Sequence, residues 1–177
     1  MKKFFLKTLL LLFLSQEVFA TEIPQAVSKN FKNYFLIGSS SLNFIGLKVY
    51  DIALWAEDKN FSYEKKFAIF IRYNMNFSKE ELAQRSIEEI ERLHVLSEEE
   101  RKDYLEQLRK IFNSVKKGDE KVAIFSPTQG VEMFYNNNLS GKITNPRLAR
   151  LFVDIWLDEK GSYPKVTKEI LGCCAKQ

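Results

Sequence analysis

Apolar and polar residues alternate through much of the first half of the chain, which is the pattern of β-strands. The apolar segment 34–37 is followed by the polar segment 38–41, which we expect to break the strand. Residues 42–55 alternate again, but the apolar positions change phase after Tyr50. Such a change indicates a β-bulge or two strands run together. Residues 67–73 form another strong strand, with odd-numbered side chains on one face and even-numbered ones on the other.

Two helices follow these strands, and each begins with a capping sequence. Ser78-Lys79-Glu80-Glu81 and Ser97-Glu98-Glu99-Glu100 each place a hydroxyl where it can accept from the third helical N–H, and a glutamate that can reach back. Behind the caps, apolar side chains recur at helical spacing, namely Ala83, Ile87 and Ile90, then Tyr104, Leu105, Leu108, Ile111, Phe112 and Val115. These stripes predict helices that pack on a sheet.

The second half of the chain repeats the order of strands and then helices. Residues 121–125 and 131–135 are predicted strands. Asn145-Pro146 supplies an N-cap and a first helical residue, and Pro164 can begin a last helix that Gly172 ends. The element order predicts an α+β fold with a largely antiparallel β-sheet and a layer of α-helices on one face.

The first twenty residues have the organisation of a secretory signal peptide. Lys2, Lys3 and Lys7 precede an apolar core at 9–14, and small side chains lead to a cleavage site after Ala20. The apolar core is too short to span a bilayer. We therefore expect a cleaved signal peptide at 1–20, a domain at 21–172, a tail at 173–177, and export to the periplasm.

Charge and composition narrow the range of partners and chemistry. The 177-residue chain has a net charge of +4, and removing the three lysines and one glutamate of the first twenty residues leaves +2. That charge is too small to indicate a nucleic-acid partner or a stable membrane anchor. Cys173 and Cys174 could form a vicinal disulfide or an intermolecular bridge, or remain thiols in a frayed tail. With His94 as the one histidine, we expect no metal site, no cofactor and no catalytic triad.

Several short motifs, taken in order, resemble those of the chalcone isomerase-like family, in its bacterial exported branch. They are the segment 42–55, Ile71-Arg72-Tyr73, Phe77-Ser78-Lys79, Gly118-Asp119, Gly130, Phe134-Tyr135, Ile155-Trp156-Leu157-Asp158 and Leu171-Gly172. The resemblance covers nearly the whole chain after residue 20. It implies an extended antiparallel sheet, helices layered on one face, and a cleft between the two.

The resemblance also bears on catalysis. In the plant enzyme of this family an arginine holds the attacking phenolate, and a threonine and a tyrosine help to polarise the ketone. The resemblance places Leu42 at the arginine position, Ile45 at the threonine position and Leu82 near the tyrosine position. Hydrocarbon side chains cannot stabilise an oxyanion, and losing one preorganised donor raises such a barrier by about 3 kcal/mol. We therefore expect no catalytic residues of that kind.

Lys48, Tyr50, Arg72 and Tyr73 are the candidate ligand contacts. Arg72 interrupts an apolar strand and could anchor an acidic head group, or it could face solvent or pair with a helix carboxylate. The tyrosines could donate hydrogen bonds in the cleft or serve as core residues.

The favoured hypothesis is a periplasmic, non-catalytic protein that binds a small apolar or amphipathic molecule, such as a fatty acid, in the cleft. One alternative is an intramolecular lyase or isomerase acting on another substrate. A second alternative is a protein-interaction module of the envelope that uses a sheet edge or the Cys173-Cys174 tail. The sequence leaves the oligomeric state open.

Overall fold

The computed structural model describes residues 22–173 as a six-stranded sheet with five helices. The predicted signal peptide lies outside the described residues, and so does Cys174. The elements, in chain order, are α1 (Gln25–Asn30), β1 (Phe35–Phe44), β2 (Leu47–Ala56), β3 (Phe67–Tyr73), α2 (Lys79–Leu93), α3 (Glu98–Ile111), β4 (Glu120–Ser126), β5 (Gly130–Tyr135), β6 (Asn138–Ile143), α4 (Pro146–Leu157) and α5 (Pro164–Ile170).

The sheet is an antiparallel meander in which the strands lie in the order of the sequence, from β1 to β6. Its register aligns Ile52 of β2 with Ile71 of β3, then with Lys121 of β4 and Tyr135 of β5. Helices α2 and α3 are inserted between β3 and β4, which are neighbours in the sheet. The two central strands are therefore joined by the longest connection among the strands.

The two faces of the sheet carry different helices. The odd-numbered side chains of β3 pack with α2, α3, α4 and α5 in the main hydrophobic core. The even-numbered apolar residues Ala68 and Phe70 pack on the other face, together with Ala26, Val27 and Phe31 from α1 and its end. The predicted α+β class is confirmed. The expected layer of helices on one face holds for α2 to α5, whereas α1 covers part of the opposite face.

The predicted helix caps are present as hydrogen bonds. The Ser78 and Ser97 hydroxyls accept from the backbone N–H of Glu81 and Glu100, each at 3.1 Å. The two glutamate carboxylates accept in return from the N–H groups of the cap residues, at 2.7 and 2.9 Å. Asn145 caps α4 by accepting from the Leu148 N–H at 3.0 Å. These bonds satisfy helical N–H groups that have no partner within the helix.

The first hairpin differs from its prediction. Residues 38–41 do not break the strand but lie inside β1, and the chain turns instead at Ile45 and Gly46, where both φ angles are positive. The phase change comes from a bulge, because Tyr50 lies opposite Leu42 while Lys48 lies opposite Asn43, which leaves Val49 as an extra residue in β2. Residues 42–55 also span two strands, the end of β1 and most of β2, so both interpretations of this segment hold.

Two further elements had no counterpart in the sequence-based expectations. Helix α1 lies in a segment with no clear periodicity, and its two buried residues are Ala26 and Val27. Strand β6 begins directly after Asn136 and Asn137, whose φ angles of 44° and 68° make a tight hairpin turn. Within residues 22–173, none of the helices is long and apolar enough to cross a membrane.

Candidate functional site

A cavity of about 290 Å³ lies between the sheet and the helices that cover the same face as α2 to α5. That volume is at the lower end of the roughly 300–1,000 Å³ that is usual for small-molecule sites. Its wall is formed by strands, helices and connecting segments, namely Leu42, Phe44, Val49, Tyr50, Ile69, Ile71, Tyr73, Met75, Phe77, Glu81, Leu82, Arg85, Ser86, Glu89, Phe112, Lys121, Ala123, Met133, Phe152, Ile155, Trp156, Tyr163, Val166 and Thr167.

The cavity opens on one side, beside the tip of the first hairpin and the beginning of α2. Phe44 and Met75 line this opening and are 57% and 36% exposed. Glu81 and Arg85 of α2 line it as well. Arg85 is paired there with Glu88 at 2.9 Å. The opening thus combines exposed apolar side chains with charges on α2.

Most of the inner wall is hydrocarbon. Ile69 and Ile71 of β3, Ala123 of β4, Met133 of β5 and Phe152 of α4 are all buried and face the cavity. An apolar molecule placed against them would lose contact with water, at about 25 cal/mol per Å² of apolar surface. The shape and chemistry of the wall therefore suit a molecule with a hydrocarbon portion.

Tyr50 and Tyr73, two of the predicted ligand contacts, lie in the cavity wall. Their rings meet edge to face with centroids 6.3 Å apart. Burial raises the pKa of both phenols well above the ordinary value. A hydrogen bond with the indole of Trp156 lowers the pKa of Tyr50, but by less than burial raises it. Both tyrosines are therefore neutral near pH 7 and can donate hydrogen bonds.

Lys48 and Arg72, the other two predicted contacts, lie outside the cavity wall that the described residues form. Lys48 is ion-paired with the buried Asp51 at 2.7 Å. Arg72 is ion-paired with Glu120 at 2.7 Å and lies over the Phe70 ring on the face of the sheet that carries α1. The structure therefore pairs Arg72 with a carboxylate, but with that of the β4 residue Glu120 and not with a helix carboxylate.

The three positions that the resemblance matched to catalytic residues are not gathered at one place. Leu42 and Leu82 line the cavity. Ile45 is at the hairpin turn, 85% exposed, and the described part of the cavity wall does not include it. The cavity therefore presents hydrocarbon at two of these positions.

Lys121 is a buried charged residue of the cavity wall that was not among the candidates from the sequence. It is the second residue of β4 and shares a face with Ala123 and Phe125, and its side chain is buried in the main core. The ammonium lies 4.3 Å from the centroid of the Phe112 ring. Burial lowers the pKa of Lys121 to about 8. The sequence carried a signal for it, since strand alternation places a lysine on an otherwise apolar face.

His94 and the C-terminal cysteine lie away from the cavity wall. His94 is the C-cap of α2, where its backbone N–H donates to the Ile90 carbonyl at 2.8 Å. Its ring lies 3.6 Å from Asp154, which also accepts from Tyr63 at 2.8 Å. Cys173 is exposed. Within residues 22–173, no group of three or more His, Cys, Asp or Glu side chains could hold a metal ion.

Comparisons with known proteins identify a family and a structure of the same fold. A family model described as chalcone isomerase-like matches residues 15–172. The crystal structure of a fatty-acid-binding protein from Arabidopsis thaliana superposes with a TM-score of 0.63 at 12% sequence identity, covering 80% of this chain and 88% of that one. A search of curated proteins found no match. The structural likeness, at this identity, shows a shared fold.

Proposed function

The chain belongs to the chalcone isomerase-like family, and from that premise we propose that it is a non-catalytic protein that binds a small apolar or amphipathic molecule, such as a fatty acid, between its sheet and helices. The observation that carries this proposal is the cavity of about 290 Å³ with its buried hydrocarbon wall. A protein of the same fold from Arabidopsis thaliana is a fatty-acid-binding protein, which supports the choice of ligand class.

Two positions in the wall support binding over the cyclisation of a chalcone. Cyclisation of a chalcone needs preorganised donors for an oxyanion and for the acceptor carbonyl. Leu42 and Leu82 occupy the cavity wall at two of the positions matched to such donors, and neither side chain can donate a hydrogen bond. We expect no turnover of a chalcone above the uncatalysed rate.

Calorimetric titration of the purified protein with decanoic acid tests the proposal directly. We expect saturable binding at a single site, and native mass spectrometry of protein purified from its own cells should show a co-purified small molecule. Empty protein in both experiments would contradict the proposal.

A cavity-filling substitution locates the site. Ala123→Leu adds three carbons to the cavity floor, so it should abolish binding while leaving the circular dichroism spectrum unchanged. Ser39→Leu enlarges an exposed strand position by a similar amount and is the matched control, since Ser39 lies outside the cavity wall. Equal binding by both variants would mean that the ligand occupies another place.

We propose that the protein acts in the periplasm after cleavage of residues 1–20. The support is the organisation of that segment, with lysines, an apolar core and small residues before Thr21. N-terminal sequencing of the protein isolated from its own cells should begin at Thr21. A mature protein that begins at Met1 would contradict this.

A further inference from the structure

Lys121 is a buried cation in the wall of the cavity. The residue is 5% exposed, and its side chain extends from β4 toward Phe112 at the end of α3. Its neighbours across the sheet are Ile71 and Tyr135, and the ring of Phe112 covers its ammonium. Lysine is among the residues least often buried without a partner.

The structure provides no anion for this cation. Among the described residues, no carboxylate lies within ion-pairing distance of Lys121, and its ammonium donates no hydrogen bond to them. Tyr135, the neighbour on β5, donates its hydroxyl to Asp119 at 2.8 Å instead. A buried ammonium without an acceptor is costly, because the protein replaces neither its hydration nor its counter-charge.

A second donor without a partner faces the same cavity. Tyr73 lies two residues beyond Ile71, the direct neighbour of Lys121, so Tyr73 and Lys121 are diagonal neighbours on the same face of adjacent strands. Diagonal neighbours are within reach of each other's long side chains. The hydroxyl of Tyr73 forms no hydrogen bond with the described residues, although its backbone is fixed by bonds to Gly118 and Asp119.

We propose that Lys121 and Tyr73 together bind the carboxylate of a single-chain carboxylic acid, with the head group inside the cavity and the hydrocarbon chain directed toward the opening. This inference rests on the proposed function and adds the ligand's charge and its orientation. A carboxylate accepts from an ammonium and a hydroxyl at once, and charge-assisted bonds of this kind are the strong ones.

The charges and apolar side chains at the opening favour the same orientation. Glu81 and Glu89 both line the cavity on the α2 side, and the nearby Arg85 is already paired with Glu88. A carboxylate placed there would meet two like charges. Phe44 and Met75, in contrast, offer apolar surface to the outer end of a hydrocarbon chain.

The deciding experiment compares decanoic acid with 1-decanol, which has the same chain length and no charge. Calorimetric titrations at pH 7 should show the acid binding on the order of tenfold to a hundredfold more tightly than the alcohol. Lys121→Met should remove this preference by weakening the acid alone. Tyr73→Phe should reduce the preference by a smaller factor, because it removes a neutral donor.

The matched control is Lys102→Met, which removes an exposed lysine from α3 and should leave both affinities unchanged. If the wild-type protein binds neither compound, the proposed function itself fails. If it binds both equally, or if Arg85→Gln removes the preference for the acid while Lys121→Met keeps it, the cavity binds ligands but the carboxylate site is wrong.

Orientation can be measured without any substitution. In isotope-edited NMR spectra of the complex, the protons next to the carboxylate of decanoic acid should give Overhauser effects to the ring of Phe112. The terminal methyl group should give them to Met75. The reverse assignment would overturn the proposal while leaving binding in the cavity intact.

Discussion

Lys121 is a buried charge that should lower the stability of the protein without ligand. Its folded pKa of about 8 lies below the ordinary lysine value of 10.5, and burial is the cause. Between these two pH values the unfolded chain binds a proton that the folded protein has released, so stability rises with pH across this window. Below pH 8 both states are protonated, and the full cost of burying the charge, about 3 kcal/mol, is present.

Lys121→Met should therefore stabilise the protein without ligand. We expect a gain of up to about 3 kcal/mol at pH 7, which shrinks as the pH rises from 8 toward 10.5 because the wild-type lysine loses its charge. Urea unfolding at several pH values measures the difference. Lys102→Met, at an exposed position, should show no such pH dependence. A destabilised Lys121→Met protein at pH 7 would mean that the ammonium has a partner in the folded state.

Ile45 is the second residue whose environment conflicts with its chemistry. It is β-branched, 85% exposed and has a φ of 47°, a conformation that asparagine and glycine tolerate much better. Ile45→Asn should stabilise the protein by about 1 kcal/mol by relieving backbone strain. Thermal unfolding monitored by circular dichroism measures the gain.

The control for that prediction is Leu47→Asn, at an exposed position of β2 that follows the turn. It removes a similar apolar surface without changing the turn, so it should not raise the melting temperature. Equal gains from both variants would assign the effect to the apolar surface instead of the backbone.

At the scale of the elements, the capping boxes are the clearest link between sequence and structure. Ser97 accepts from the Glu100 N–H, and its own N–H donates to the Glu100 carboxylate. Ser97→Ala should destabilise the protein by about 1 kcal/mol, since one helical N–H would lose its acceptor. Urea unfolding tests this, with Ser28→Ala in α1 as an exposed control that caps no helix. No loss in Ser97→Ala would show that water replaces the cap at no cost.

The elements that were predicted well have local signals, and those that were not depend on distant contacts. The caps at Ser78 and Ser97 and the alternation in β3 are readable in a few residues. Residues 38–41 look like a break because their side chains are small and polar. They nevertheless pair with β2, and α5, far along the chain, packs against this strand at Gly38.

Gly38 is the position where that distant contact can be tested. A Cβ atom there would lie 2.2 Å from the Glu169 carbonyl oxygen at the end of α5, so Gly38→Ala must displace the helix. We expect a loss of about 2 kcal/mol or more in urea unfolding, and faster amide exchange in α5. Ser39→Ala, at an exposed neighbouring position, should leave both unchanged. Normal stability in Gly38→Ala would contradict the close contact between β1 and α5.

At the scale of the whole molecule, the predicted class followed from element order, but the cavity did not. The order of strands and helices indicates that helices cover a sheet. The size of the gap between them depends on how α2, α4 and α5 pack on the strands. No local sequence pattern predicts this packing. Strand alternation alone places Lys121 on the buried face. That no described carboxylate pairs with it depends on side chains from distant segments, so it can be seen only in the three-dimensional structure.

The burial of each strand on the two faces of the sheet also predicts which elements open least often. Strands β3 and β4 are central and buried on both faces, while β1 and β6 are edge strands with many exposed residues. Local opening is least frequent where burial is most complete. Hydrogen exchange followed by mass spectrometry should therefore show the slowest exchange in β3 and β4 and faster exchange in α1.

Ligand binding should change this map unevenly, because the cavity touches only one face. Saturating decanoic acid should slow exchange in α2 and α5, which line the cavity, by restricting their local opening. It should leave exchange in α1 unchanged, since α1 packs on the opposite face. The Ala123→Leu variant is the control and should show no ligand-dependent change in any of these helices. Protection of α1 alone, or of every element equally, would be inconsistent with a ligand held between the sheet and α2 to α5.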